Sequence, residues 1–180
     1  MKWLTFLTVF LILGCSQQSD QLSSDEIAQI KDDIILLSEK HAQDLVKLDH
    51  KGVMEFYGNE DDFVVFGDGN YWGDYITLDR IWQDFTGSVK KMIKWNLSNH
   101  KIHVSSNNAA SYLVEFDNER VESSGDTTKV TGCFTYGMEK IYGQWKAVTV
   151  QVTHNYKVGY GYERWNRDWW KYYSPQERKN

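Results

Sequence analysis

Cysteine is nearly absent, with Cys15 and Cys133 the only two. If Cys15 is used elsewhere, no internal disulfide is possible, and Cys133 reads as a small apolar residue in a strand. Proline occurs once, at Pro175, so little interrupts regular structure before the C-terminal segment. Basic residues are outnumbered, 20 against 25 acidic, for a formal charge of −5. A general nucleic-acid role would show a basic footprint, and this composition has none. No Gly-rich phosphate loop, nucleophile elbow or Cys/His dyad is present. His100-x-x-His103 has the wrong step for same-side placement on a strand and lacks a third ligand. Glu60-Asp61-Asp62 reads as a solvated turn. No metal and no cofactor are therefore expected.

An apolar run of spanning length is also missing. Leu4 to Leu13 is apolar apart from Thr5 and Thr8 and follows Lys2. That is a secretory signal, too short for a spanning helix of about 20 residues. Ile12-Leu13-Gly14-Cys15 at its end resembles the bacterial lipobox. The resemblance implies cleavage after Gly14, a lipid on Cys15 and an exported, membrane-anchored protein of the cell envelope. Ser16 in place of Asp resembles outer-membrane sorting where the host is Gram-negative. Cleavage would leave 19 basic and 25 acidic side chains.

Aromatic residues are plentiful at 15%, including eight Trp. That many rings suggests an aromatic-lined cavity or surface in addition to core. Residues 15–24 are polar and aperiodic and read as a tether. Ser23 to Glu26 fits a capping box, and Ile27, Ile30, Ile34, Leu37, His41, Leu45 and Leu48 form one stripe. The spacing predicts a helix over 24–49, interrupted by Gly52, with His41 as a core histidine. A short helix is expected over 53–57, a strand over 62–66, a turn at Gly67-Asp68-Gly69-Asn70, and a short strand at Tyr71-Trp72. Thr77 is read as the cap of a helix running to Phe85. Four strands follow, about 92–105, 109–122, 127–142 and 144–156, joined by turns. Helices gathered ahead of a long meander argue α+β.

This order resembles the nuclear-transport-factor-2-like superfamily, especially its SnoaL-like, polyketide-cyclase-like members, over about residues 25–156. The carriers are Asp62-Phe63-Val64-Val65-Phe66-Gly67-Asp68-Gly69, Trp72-Gly73, a helix with Trp82, and Gly143-Gln144-Trp145-Lys146-Ala147-Val148. The resemblance implies a cone: a curved antiparallel sheet wrapped around the long first helix, with a cavity at the wide end. It also implies pairing of two copies through the outer sheet face in many members. Related chains often carry His-x-His on the last strand; here the matching positions are Thr149 and Gln151. The domains expected are 1–14 signal, 15–24 tether, 25–156 cone and 157–180 aromatic tail.

Strand alternation puts Ala110, Tyr112, Val114 and Phe116 on one face, and Phe134, Tyr136 and Met138 on another that is read as inward too. Tyr112 and Tyr136 would then present hydroxyls near a cavity walled by Trp72, Trp82 and Trp95, and these five are the ligand-binding candidates. Ordinary core packing of the same rings is the competing expectation. A base for proton transfer next to a carbonyl would be a carboxylate or histidine in an apolar setting. His154 and Asp68 are the catalytic candidates, with Glu115 and His103 behind them and read as outward. The tail, 157–180, holds seven Tyr and Trp among basic residues. It could dock on its own domain, lie on a membrane interface, or bind a glycan or partner. The leading expectation is a lipid-anchored, non-catalytic domain holding an unknown small, partly apolar molecule. One alternative is an isomerase-, cyclase- or dehydratase-type enzyme. Another is an interaction domain whose cavity is filled by its own rings.

Overall fold

The computed structural model describes residues 22–155. The signal segment, Cys15 and the aromatic tail lie outside the described residues.

α1 (Ser24–Lys47) starts at the expected capping box: Ser23 Oγ accepts from the Glu26 N–H, and the Glu26 carboxylate accepts from the Ser23 N–H. It stops at Leu48, which adopts a left-handed conformation with φ 56°. The break therefore falls before Gly52. Asp49 then caps α2 (His50–Met54) by accepting from the Gly52 N–H. Gly52 sits inside this turn because a methyl there would come within 2.8 Å of the Asp44 carboxyl carbon. β1 (Val64–Gly67) and β2 (Asn70–Gly73) form a hairpin. α3 (Tyr75–Ser88) is capped by Asp74, not by the expected Thr77. Thr77 is three residues in, donating both its N–H and its hydroxyl to Asp74 Oδ1 at 2.8 Å.

The meander follows as β3 (Val89–Val104), β4 (Ala109–Glu122), β5 (Thr127–Ile141) and β6 (Gln144–Asn155). All six strands join one open sheet in the order β2-β1-β6-β5-β4-β3. Five pairings could have been purely antiparallel, but β1 lies parallel to β6, with Gly67 beside Val152, so the sheet is mixed. α1 packs chiefly across β3, and the core fills the space between helices and sheet. Ala110, Tyr112, Val114, Phe116, Phe134, Tyr136 and Met138 are buried, and the alternate residues Ser111, Leu113 and Glu115 are exposed. Cys133 is half-buried on the outer face.

Candidate functional site

The β1–β2 hairpin brings Asp68 to the last strand. Its backbone takes φ 50°, and its N–H donates to the Val152 carbonyl at 3.0 Å, extending the parallel pairing by one step. This aims the carboxylate along β6. Oδ1 accepts from the backbone N–H of His154 at 2.9 Å, and Oδ2 accepts from His154 Nδ1, also at 2.9 Å. A carboxylate on Nδ1–H fixes the ring orientation and makes Nε2 the basic nitrogen of the neutral imidazole. The two catalytic candidates are thus one unit, although 86 positions separate them.

His154 lines a cavity of about 60 Å³ between α3, the hairpin and the inner face of the sheet. Trp72, Trp82, Trp95, Phe85, Phe116 and Phe134 supply most of its wall. Two glycines make this arrangement possible. Gly67 lies under the Trp72 indole, where a methyl would come within 2.0 Å of the ring. Gly132 sits between His154 and Phe116 in the sheet register, and a methyl there would come within 2.8 Å of the Phe116 ring and 2.2 Å of the Thr153 carbonyl oxygen. Phe116 consequently meets the His154 ring edge-on at 5.8 Å and packs beside Phe134 at 4.8 Å. Trp72, Val130 and His154 are the half-buried members of the lining and mark its mouth; the other rings are buried.

Polar groups in the wall were only partly foreseen. Tyr57 contributes a hydroxyl that accepts from Trp82 Nε1 at 3.1 Å and lies 3.3 Å from His41 Nε2. Burial pushes His41 down to about 3, so its ring is neutral and accepts from Tyr57. Tyr136 bonds the same hydroxyl, so it stands one step behind the wall. Asn118 and Arg120 line the cavity from β4. Arg120 is 2% exposed; its Nε donates to Glu122 Oε1 at 2.9 Å and its Nη1 to Asn118 Oδ1 at 2.8 Å. The guanidinium also lies 5.1 Å over the Phe85 ring. Burial lowers its pKa, partly offset by Glu122. The parity that turns Tyr112 and Phe116 inward also turns Asn118 and Arg120 inward, and that was the available signal.

Of the five ligand-binding candidates, Trp72, Trp82 and Trp95 line the cavity, and Tyr112 and Tyr136 do not. Tyr112 is fully buried and bonds Ser38 Oγ at 2.6 Å and His100 Nδ1 at 2.8 Å. Burial pushes its phenol up to about 12. Glu115 and His103 are exposed and lie elsewhere; Glu115 accepts from Asn99 Nδ2 at 2.7 Å. Thr149 and Gln151 face outward on β6. Among the described residues, no group of three or more metal-ligating side chains could hold an ion. No helix of the described residues is long and apolar enough to cross a membrane.

No protein-family model and no curated protein matches the chain. Solved structures do. A nuclear transport factor 2-like superfamily protein from Salmonella enterica superposes with a TM-score of 0.64 at 18% identity, covering 76% of this chain and 98% of that one. A scytalone dehydratase-like protein from Novosphingobium aromaticivorans gives 0.68 at 13% identity, covering 77% and 95%. A ketosteroid isomerase-like protein from Erwinia carotovora gives 0.61 at 14% identity, covering 75% and 100%. At these identities the likeness establishes the fold: the chain has the nuclear-transport-factor-2-like fold that the resemblance implied.

Proposed function

We propose that the domain is a proton-transfer enzyme of the isomerase or dehydratase kind, acting on a small, partly apolar molecule. The observation that carries this is the His154–Asp68 pair at the mouth of an aromatic cavity. Proton transfer from carbon needs a base held within reach of an apolar pocket that excludes bulk water. Asp68 accepts from the His154 backbone N–H through Oδ1, which places Oδ2 to hold the ring through Nδ1. Asn118 and Arg120 supply donors that would stabilise negative charge forming on a substrate oxygen. Dehydratase-like and isomerase-like proteins sharing this fold support the same reaction class. The pair favours an enzyme over a non-catalytic binding domain.

The void of about 60 Å³ is smaller than the roughly 150 Å³ that admits benzene. A substrate therefore enters by displacing a ring, and Trp72 is the half-buried indole of the lining, on the edge hairpin. The same small void favours a second reading, an interaction domain with a filled cavity. Export and anchoring through lipid on Cys15 complete the proposal and place the reaction in the cell envelope. Pairing of two copies through the outer sheet face is a further part of it.

The test is proton exchange in D₂O, read by NMR on a panel of aromatic ketones and β-hydroxy ketones. The wild-type protein should exchange α-protons of at least one member. His154→Gln should slow it by about 10²–10⁴-fold and Asp68→Asn should also slow it. An unchanged rate in folded His154→Gln protein would remove the enzyme reading. Failure of every panel member to shift the melting temperature would favour the filled cavity.

A further inference from the structure

Resting on the reading that the cavity admits a ligand, we infer that this ligand carries a carboxylate, which Arg120 and Asn118 receive at the buried end of the cavity. Among the described residues, the side chains of the wall with charge or hydrogen-bonding capacity are Tyr57, Asn118, Arg120, His154 and the indoles of Trp72, Trp82 and Trp95. None is acidic. Glu122 and Asp68, which bond Arg120 and His154, are not among the lining residues. Among the described residues, the lining therefore holds one permanent cation, Arg120, and no acid. Glu122 is 24% exposed and half hydrated, whereas Arg120 is 2% exposed, so water screens the acid more than the guanidinium.

Chemistry points the same way. An apolar cavity by itself gives no reason for a buried guanidinium, because a buried ion pair adds little stability compared with packed hydrocarbon. Arg120 is held flat against Phe85 and fixed through Nε and Nη1. That pins the plane of a group whose fork geometry matches a carboxylate. Asn118 orients its amide through the same bond, with its carbonyl oxygen committed to Arg120, which leaves the amide NH₂ as the donating end. Trp72 on β2 lies across the sheet from β4, with His154 on β6 between them, while Val130 is the cross-strand neighbour of Asn118. An arylalkyl or alkenyl acid would put its anionic head against Arg120 and its apolar body towards Trp72, with its α- and β-carbons passing the His154 ring. The existing void takes a head group of a few atoms, and Trp72 yields space for the body.

The test uses matched acid and amide pairs: phenylacetate with phenylacetamide, and cinnamate with cinnamamide. Binding is measured at neutral pH by isothermal titration and thermal shift, without turnover. Each acid should bind roughly tenfold or more tightly than its amide to the wild-type protein. Arg120→Gln should bring that ratio close to one. Arg120→Lys should keep part of it, and Asn118→Ala serves if Arg120→Gln does not fold, with the ratio expected to fall. His154→Gln should leave the ratio unchanged, which separates failure of this inference from failure of proton transfer. Equal binding of acid and amide, absence of binding by any acid at millimolar concentration, or a preserved ratio in a folded Arg120→Gln protein would each overturn it.

Discussion

At the scale of single residues, the most informative group is His41. It is 4% exposed, stacked on Phe56 at 4.5 Å, and held neutral with its pKa near 3 by burial. The unfolded chain binds a proton there near pH 6.5. Between these values the unfolded state holds more protons, so stability falls as pH drops from about 6.5 towards 3. The loss from this group is about 1.4 kcal/mol per pH unit in that window, and it is fully absent above it. Urea unfolding of the wild-type protein and His41→Asn from pH 4 to 7 should differ in slope by that amount; parallel curves would contradict it. His41 was legible as a core histidine because it falls on the α1 stripe. Arg120 was not, although parity placed it inward, because inward positions are expected to be apolar. The hydroxyls of Tyr112 and Tyr136 were misjudged for a related reason. Ser38 and His100 satisfy one, Tyr57 the other, and partners so distant in sequence leave no trace in local pattern.

At the scale of elements, the hairpin is the part most exposed to perturbation. β2 is an edge strand, and β1 holds the rest through its parallel neighbour β6. Gly67 has the tightest fit, because the Trp72 ring occupies the place of its missing side chain. Gly67→Ala should push Trp72 off the cavity wall, shift its emission to the red, and destabilise by about 1–3 kcal/mol through overpacking. An unshifted spectrum with unchanged stability would show that the indole does not rest there. The helices and the meander were legible to within a few residues because their periods of 3.6 and 2 are long and regular. The capping of α3 was not. Asp74 and Thr77 are both good caps, and only the fold shows that the earlier one takes the position. The turn at Gly67 to Asn70 was recognised, but its pairing with β6 was not, since parallel neighbours need no short connection.

At the scale of the whole molecule, one sheet carries the core on its inner face and a polar outer face rich in Ser, Thr and Gln. The cone was legible as an architecture because the order of elements is itself a pattern. The proposed anchor belongs to this scale, as it sets where the domain works. Wild-type protein expressed in a bacterial host should partition with membranes and into detergent. Cys15→Ser should lose that partitioning, and retained partitioning would remove the lipid from the proposal. Attachment at the N-terminal side would leave the α1 end of the domain nearest the bilayer.

The bond between the hairpin turn and the final strand has a consequence for the life of the chain. Asp68 is translated 86 residues before His154, and the bond between them forms only when both are in place. A ribosome-bound or partly translocated polypeptide therefore holds no assembled base, however much of its helix and meander has formed. If the proposed enzyme and export readings hold, activity begins only when the final strand has docked, and the protein stays chemically silent in the compartment where it is made.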